Sequence, residues 1–250
     1  MPQPVPYDLL EGMTSISAFL ERPDAPERLL EVLVDKTKTL SKAREIAFLQ
    51  AKSKEFGCPL TMVEPEMIAS LATGKTHGGI LAKCKAMDLP PLTRDAIEEG
   101  CFYAYLDGIE DPYNLGYTLR SLYAFGACGV ILPERNRMNA AGIVAKASAG
   151  VSEKLPIFIS EMEGAIDLFK SAGYRVAAAG IRDAIEVDSA DCSFPLLLVI
   201  GGEKRGISGN LLSKCDAVIK IPYARAFRGS LPTASAASVL AFEIFRKNRK

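Results

Sequence analysis

Residues 196–208 read LLLVIGGEKRGIS: five apolar residues run into Gly201 and Gly202, turn through Glu203, Lys204 and Arg205, and close on Gly206. An unbroken apolar run of this length reads as a central strand buried on both faces of a parallel sheet. Glycines at its carboxyl end let the backbone come close to a ligand. In doubly wound α/β sheets that edge is where nucleotides bind. Yet G-x-G-x-x-G opening a helix and G-x-x-x-x-G-K-[ST], the two common nucleotide loops, are both missing from the chain.

Outward from this strand, further strands are expected at 101–106, 128–132, 156–159, 174–179 and 217–221, with helical patterns between most of them. Together they predict an α/β fold with a parallel sheet covered on both faces, its ligands held outside the carboxyl ends of the strands. Upstream lies a smaller α/β module: a helix over 9–21, a strand over 29–34, a helix over 41–56, a strand over 60–63, a helix after Glu64-Pro65 and a strand over 79–82. Pro90-Pro91 and mixed charge break the pattern between the two. The expected division is a first domain over 1–88, a linker over 89–100 and a second domain over 101–250.

Composition narrows the function. At 250 residues, 48% of them hydrophobic, the chain is long enough for one large or two small cores. Thirty basic and thirty acidic side chains cancel, so any nucleic-acid contact must come from local patches, such as Lys36, Lys38, Lys42 and Arg44. The six cysteines form no C-x-x-C pair and read as reduced and structural. With His77 as the only histidine, neither a His-rich zinc site nor a Ser-His-Asp arrangement is expected, and no metal is expected. The start MPQPVPYDLLEG lacks a basic, then apolar, leader pattern, and no eighteen uncharged apolar residues run together. The expectation is a cytoplasmic protein without membrane association.

Three strand ends carry unusual residues. After the strand over 101–106, Asn114 reads as a helix N-cap, and Leu115, Leu119 and Leu122 form an apolar stripe. Arg120 lies about 140° from that stripe, facing away from the core; its plain reading is a solvated arginine. Gly116 in the first turn costs roughly 1 kcal/mol against alanine, which points to a close backbone approach. The second stretch is 196–208, whose plain reading is a strand–loop turn with solvent-facing charges. The third, IPYARAFRGSLPTASAASVLAFEIFRK over 221–247, ends a strand at Pro222 and carries two arginines. There Ser230 reads as the cap of a small-residue helix, and tight helix packing alone could account for it.

In order and spacing these stretches resemble the three motifs of the SpoU (TrmH) family of SPOUT-class RNA 2′-O-ribose methyltransferases. The matches are N-x-G-x-x-x-R as Asn114, Gly116 and Arg120; G-x-E-x-x-G as Gly201, Glu203 and Gly206; and I-P…S-L as Ile221, Pro222, Ser230 and Leu231. The run KASAGVSEKLPIF over 146–158 is also similar to the family. Glu11-Gly12 and His77-Gly78-Gly79 resemble the ribosomal-protein-L30-like (L30e-like) RNA-binding module that many members carry.

The resemblance implies a deep trefoil knot in the second domain, S-adenosylmethionine as cofactor, structured rRNA or tRNA as substrate, and a homodimer through the second domain. It implies cofactor contacts at Ala179, Gly201, Gly202, Glu203, Gly206, Ile221, Tyr223, Ser230 and Leu231. Asn114, Arg120, Glu203 and Ser230 fall in the catalytic set. Guanidinium groups keep their proton in proteins, so Arg120 reads as a fork on the phosphate beside the target ribose, with Glu203 orienting an arginine. The chain departs from the usual S-L-N-V-S with Ser230-Leu231-Pro232-Thr233-Ala234, and its loop after Pro222 is one residue longer. A proline in place of an amide removes donors and an acceptor. The alternative expectation is therefore a catalytically silenced RNA-binding or ribosome-assembly protein of the same fold.

Overall fold

The computed structural model describes residues 7–136, 140–202, 206–226 and 229–249. The first elements are β1 (Tyr7–Glu11), α1 (Met13–Leu20), α2 (Ala25–Arg28), β2 (Leu29–Asp35), α3 (Ala43–Phe56), β3 (Leu60–Val63), α4 (Pro65–Leu71) and β4 (Ile80–Lys85). Then come β5 (Phe102–Leu106), α5 (Pro112–Ala124), β6 (Ala127–Leu132), α6 (Ala141–Ala147), β7 (Ile157–Ile159) and α7 (Met162–Ser171). The last are β8 (Arg175–Ala179), β9 (Ile185–Glu186), β10 (Leu196–Ile200), α8 (Gly209–Leu212), β11 (Ala217–Lys220) and α9 (Thr233–Asn248). They form two compact units: one combines the chain up to Asp88 with Ala140–Lys154, the other Leu89–Asn139 with Leu155–Lys250.

The first unit is built on a mixed sheet of order β1-β4-β2-β3, with β4 antiparallel to both neighbours and β2 parallel to β3. The helix expected over 9–21 is divided. Its first residues form β1, zipped along β4 from Tyr7↔Lys85 to Glu11↔Leu81, and only Met13–Leu20 is helical. Gly12, at φ +80° and ψ 159°, makes the break, a conformation that suits glycine. Ile16, Phe19, Val34, Leu49 and Ile80 fill the core, each such side chain contributing about 1.5–3 kcal/mol on burial. His77 Nδ1 accepts from the Gly79 amide (3.0 Å), so the lone histidine is part of a turn.

Residues 140–154, expected within the second domain, belong to the first unit. Gly142 sits so close to β1 that a Cβ there would lie 2.0 Å from the Leu9 carbonyl oxygen, and Ala145 enters the core. Lys146 Nζ donates to Glu11 Oε2 (2.6 Å), and the Thr73 amide donates to Glu11 Oε1 (2.5 Å). Burial works to raise the Glu11 carboxyl, but these two donors outweigh it and hold it below its ordinary range.

Glu153 is the opposite case. Its Oε1 accepts from Ser152 Oγ (3.3 Å), while its buried Oε2 has no partner among the described residues. Burial raises this carboxyl above its ordinary range against the pull of Arg22 and Arg28, with Asp8 adding to the rise. The folded chain therefore holds the proton more tightly than the unfolded chain. Stability accordingly falls as pH rises from the unfolded carboxyl value through the raised folded one, then levels off. Glu153→Gln should remove that decline. Urea unfolding of both proteins between about pH 4 and pH 8 measures it, and parallel profiles would refute the assignment.

The second unit carries a seven-stranded sheet of order β7-β6-β5-β10-β8-β11-β9, parallel throughout. The apolar run 196–200 is the central strand β10, hydrogen-bonded to β5 and β8 and buried at all five positions. All six strands expected here are present within a residue or so of the expected bounds, and a two-residue edge strand, β9, is added. Tyr103, Phe169, Tyr174, Val176, Leu197 and Val199 pack one face. The segment 89–100 is bonded to the sheet edge instead of hanging as a free linker. The Leu92 amide donates to the Ile159 carbonyl (2.8 Å), and the Ile159 amide donates to the Pro90 carbonyl (2.9 Å). Among the described residues no helix is long and apolar enough to cross a membrane.

Candidate active site

The loops leaving β5, β10, β8 and β11 emerge along one edge of the second sheet, because these strands are adjacent and parallel. Beyond β10, the Gly206 amide donates to the Gly202 carbonyl (3.1 Å). A Cβ on Gly201 would lie 2.9 Å from the Gly206 carbonyl carbon. Gly202 is crowded by the β5 loop, with a Cβ there falling 2.7 Å from the Gly108 carbonyl oxygen and 3.0 Å from that of Asp107. The Asp107 amide also donates to the Ile200 carbonyl (2.9 Å), extending the β5–β10 ladder to the loop. Both glycines remain half-buried, and Gly206 takes φ +61° to close the turn. The result is bare backbone at a strand end. Glu203, assigned both to the cofactor and to catalysis, lies outside the described residues.

Helix α5 starts at Pro112, and its cap is Asp111, whose carboxylate accepts from the Tyr113 amide (3.1 Å). Asn114, expected as the cap, instead sits half-buried within the first turn, where its carbonyl accepts from Thr118 Oγ1 (2.8 Å). Asp111 wins because a proline at the first helical position makes the preceding residue the cap. Gly116 and Leu119 are buried and Arg120 is exposed, as the helical stripe requires. Among the described residues no carboxylate pairs with Arg120. Tyr113 and Tyr117, also exposed, fall within about 60° of Arg120 around the helix at 100° per residue.

The segment after β11 returns to α5. Ser238 Oγ on α9 donates to Ser121 Oγ (2.7 Å), next to Arg120, and Phe125 packs its ring on Phe242 (5.5 Å) and Phe245 (6.1 Å). Ahead of α9, Tyr223 Oη accepts from the Leu231 amide (3.2 Å), and Ile221 and Leu231 are half-buried. Ala179, half-buried at the end of β8, is followed by Gly180, whose amide donates to the Ile219 carbonyl of β11 (2.9 Å). Ser230 is exposed and is not the cap. That position belongs to Pro232, which has no side-chain acceptor to offer.

The structure thus places Ala179, Gly201, Gly202, Gly206, Ile221, Tyr223 and Leu231 along one edge. Asn114 and Arg120 stand on the helix that follows β5. Sequence reading missed Asp107 and Arg135, which form an ion pair just beyond the ends of β5 and β6. Asp107 directly follows β5 and Arg135 lies three residues beyond β6, and that placement after two apolar strands was the available signal.

Comparison with known proteins agrees with this architecture. The sequence model of the SpoU rRNA Methylase family matches residues 102–242. The Bacillus subtilis protein YacO, provisionally named a TrmH family tRNA/rRNA methyltransferase, is 30% identical over 237 residues, covering 92% of this chain and 93% of its own. Among solved structures, an rRNA methyltransferase from Sinorhizobium meliloti superposes with a TM-score of 0.81 at 24% identity, over 98% of this chain and 89% of that one. The SpoU methyltransferase AviRb of Streptomyces viridochromogenes, solved with AdoMet, gives 0.79 at 24% identity over 97% and 92%. On the extent of the family match and the near full-length relationship to YacO, the chain belongs to the SpoU rRNA methylase family, a family of RNA-methylating enzymes.

Proposed function

We propose that this chain transfers the methyl group of S-adenosylmethionine to a ribose 2′-hydroxyl of structured ribosomal or transfer RNA, working in the cytoplasm as a homodimer joined through residues 101–250. The observation that carries this reading is the glycine loop after β10, locked backbone to backbone against the β5 loop at the sheet edge that also receives the loops from β8 and β11.

The donor set fits a nucleoside cofactor. Gly201, Gly202 and Gly206 offer backbone without side chains, and Ile221 and Leu231 supply an apolar wall beside the Tyr223–Leu231 hydrogen bond. When bound, S-adenosylmethionine supplies a methyl group on a sulfonium centre, open to in-line displacement. The chain's own work is then chiefly alignment. Arg120, exposed and uncommitted among the described residues, grips the phosphate beside the target ribose through a two-pronged fork. Asn114 and Ser230 hydrogen-bond around the bound ribose, and Glu203 orients an arginine. The hydroxyl proton leaves to water or to a phosphate oxygen.

The L30e-like first unit adds RNA contacts through Lys36, Lys38, Lys42 and Arg44; Lys36 and Lys42 are paired with Glu64 and Glu45, exchangeable partners for a phosphate. Exposed Val239, Phe242 and Phe245 on α9 support the dimer, and light scattering that finds only monomer would remove it. The return of α9 to α5, across the strands β10 and β8, supports a knotted thread.

Calorimetry should show one site per chain for S-adenosylmethionine or its demethylated product, with ATP and NAD as silent controls. Mapping ribose methylation in RNA from cells with and without the protein should reveal one lost methyl group. No heat from either ligand would refute the cofactor assignment, and an unchanged methylation map the ribose one. Pro232 favours a second reading, a silenced site, since it leaves α9 without a side-chain cap where the family pattern has an amide. Pro232→Asn should change the rate only modestly if the natural protein is active. Activity gained only in that variant would identify the silenced site.

A further inference from the structure

Away from that edge, Glu98, Cys101 and Cys128 bring one carboxylate and two thiols together. Their ligand atoms all lie within 4.8 Å of one another, and Cys101 Sγ donates to Glu98 Oε2 across 3.7 Å. Tetrahedral zinc bonds of about 2.3 Å to sulfur and about 2.0 Å to oxygen set S···O and S···S edges of roughly 3.5 and 3.8 Å. Cys101 Sγ and Glu98 Oε2 stand near that spacing, and the third ligand atom lies within 4.8 Å of both.

Separate features of the fold converge on these groups. β5 and β6 pair Phe102 with Ala127 but Tyr103 with Gly129, so Cys128 is the extra residue of a register shift, a device that re-aims a side chain. Gly129 leaves room for the Tyr103 ring, whose Cε1 would lie 2.7 Å from a Cβ at that position. Tyr103 Oη accepts from the Glu98 amide (3.2 Å) and donates to the Ala96 carbonyl (3.2 Å). Tyr174 Oη donates to the Glu98 carbonyl, and the two buried rings meet edge to face at 6.0 Å. The Glu98 peptide is thus fastened at both its amide and its carbonyl, the kind of support that holds metal ligands in place.

We propose that Glu98, Cys101 and Cys128 bind one thiophilic divalent cation of the zinc class, with a fourth position open to solvent. Two sulfurs and a carboxylate select such an ion over magnesium or calcium, which take oxygen ligands. The site stands where β5 and β6 begin, at the sheet edge opposite the glycine loops. The ion ties the segment before β5 to both strands and takes no part in methyl transfer. It revises the expectation of cysteines that serve only as small hydrophobes.

The test uses the full chain, reduced and stripped with chelator, then titrated with cobalt(II) and with zinc(II) against a chromophoric chelator. Cobalt should bind at one per chain with thiolate-to-metal absorption that zinc abolishes. Cys101→Ser and Cys128→Ser should each weaken zinc binding by about a hundredfold, and Glu98→Gln by about tenfold. Tyr103→Phe, which only positions Glu98, should cost about tenfold and shift the cobalt spectrum. Cys58→Ser and Cys215→Ser should bind as the natural chain does, and circular dichroism checks that each variant is folded. The site is refuted by absent thiolate–cobalt absorption in the natural chain, or by zinc affinity that survives loss of both cysteines. It is equally refuted if Cys101 and Cys128 are found joined as a disulfide in freshly isolated protein.

Discussion

Arg120→Ala should lower turnover by on the order of 10²–10³-fold, the range seen when one group that stabilises a transition state is removed, and leave cofactor affinity nearly unchanged. The side chain projects from the exposed face of α5, one residue from the Ser121–Ser238 hydroxyl pair that fastens α5 to α9. Its helix is therefore held while its guanidinium stays available. A fork on the phosphate matters most when the ribose is aligned, so the loss belongs to the rate and little to cofactor binding. Arg120→Lys should recover little, since a point charge cannot reproduce two parallel hydrogen bonds. Single-turnover methylation of the mapped RNA, with calorimetry alongside, measures both quantities. Full activity in Arg120→Ala would return this residue to a solvated surface arginine.

Gly202→Ala should cut methyl transfer about a hundredfold by displacing the cofactor loop, since a shift of about 1 Å in a reacting group costs that much. Its φ is not positive, so the difficulty is space and not backbone torsion. The new Cβ would meet the Gly108 oxygen at 2.7 Å and the Asp107 oxygen at 3.0 Å, and both are main-chain atoms. Neither can yield without disturbing the Asp107–Ile200 hydrogen bond or the Gly206–Gly202 closure. Overpacking of this kind also costs about 1–3 kcal/mol of stability. Gly209→Ala is the control, for nothing lies within 4 Å of a Cβ there. Gly202→Ala with natural cofactor affinity and natural turnover would refute the account.

Much of the second unit was legible in advance, and for a local reason. Runs such as 102–106 and 196–200 are apolar at every position, which suits a strand buried on both faces, and their length of five residues between turn signals favours strand over helix. The first unit was harder. Leu9 and Leu10 suit a helix or a strand equally, and pairing with β4, more than seventy residues away, decided for strand. Ser230 and Asn114 both have good capping side chains, yet Pro112 and the path of the last loop moved the caps to Asp111 and Pro232. Capping preference ranks candidates within a few residues but does not choose the first helical turn.

The sequence by itself determined the α/β class, the parallel character of the second unit's sheet and the glycine-rich end of its central strand. These follow from apolar runs and glycines within contiguous stretches, whose physics needs no distant partner. Only the tertiary structure decided that residues 140–154 join the first unit through Gly142 and the Lys146–Glu11 pair, and that Glu98, Cys101 and Cys128 meet. Such pairings depend on how strands and helices remote in sequence are set in register. A shift of one residue turns every side chain of a strand to the other face, and in strands such as β5 and β10, buried at every position, the apolar pattern reads the same for either choice.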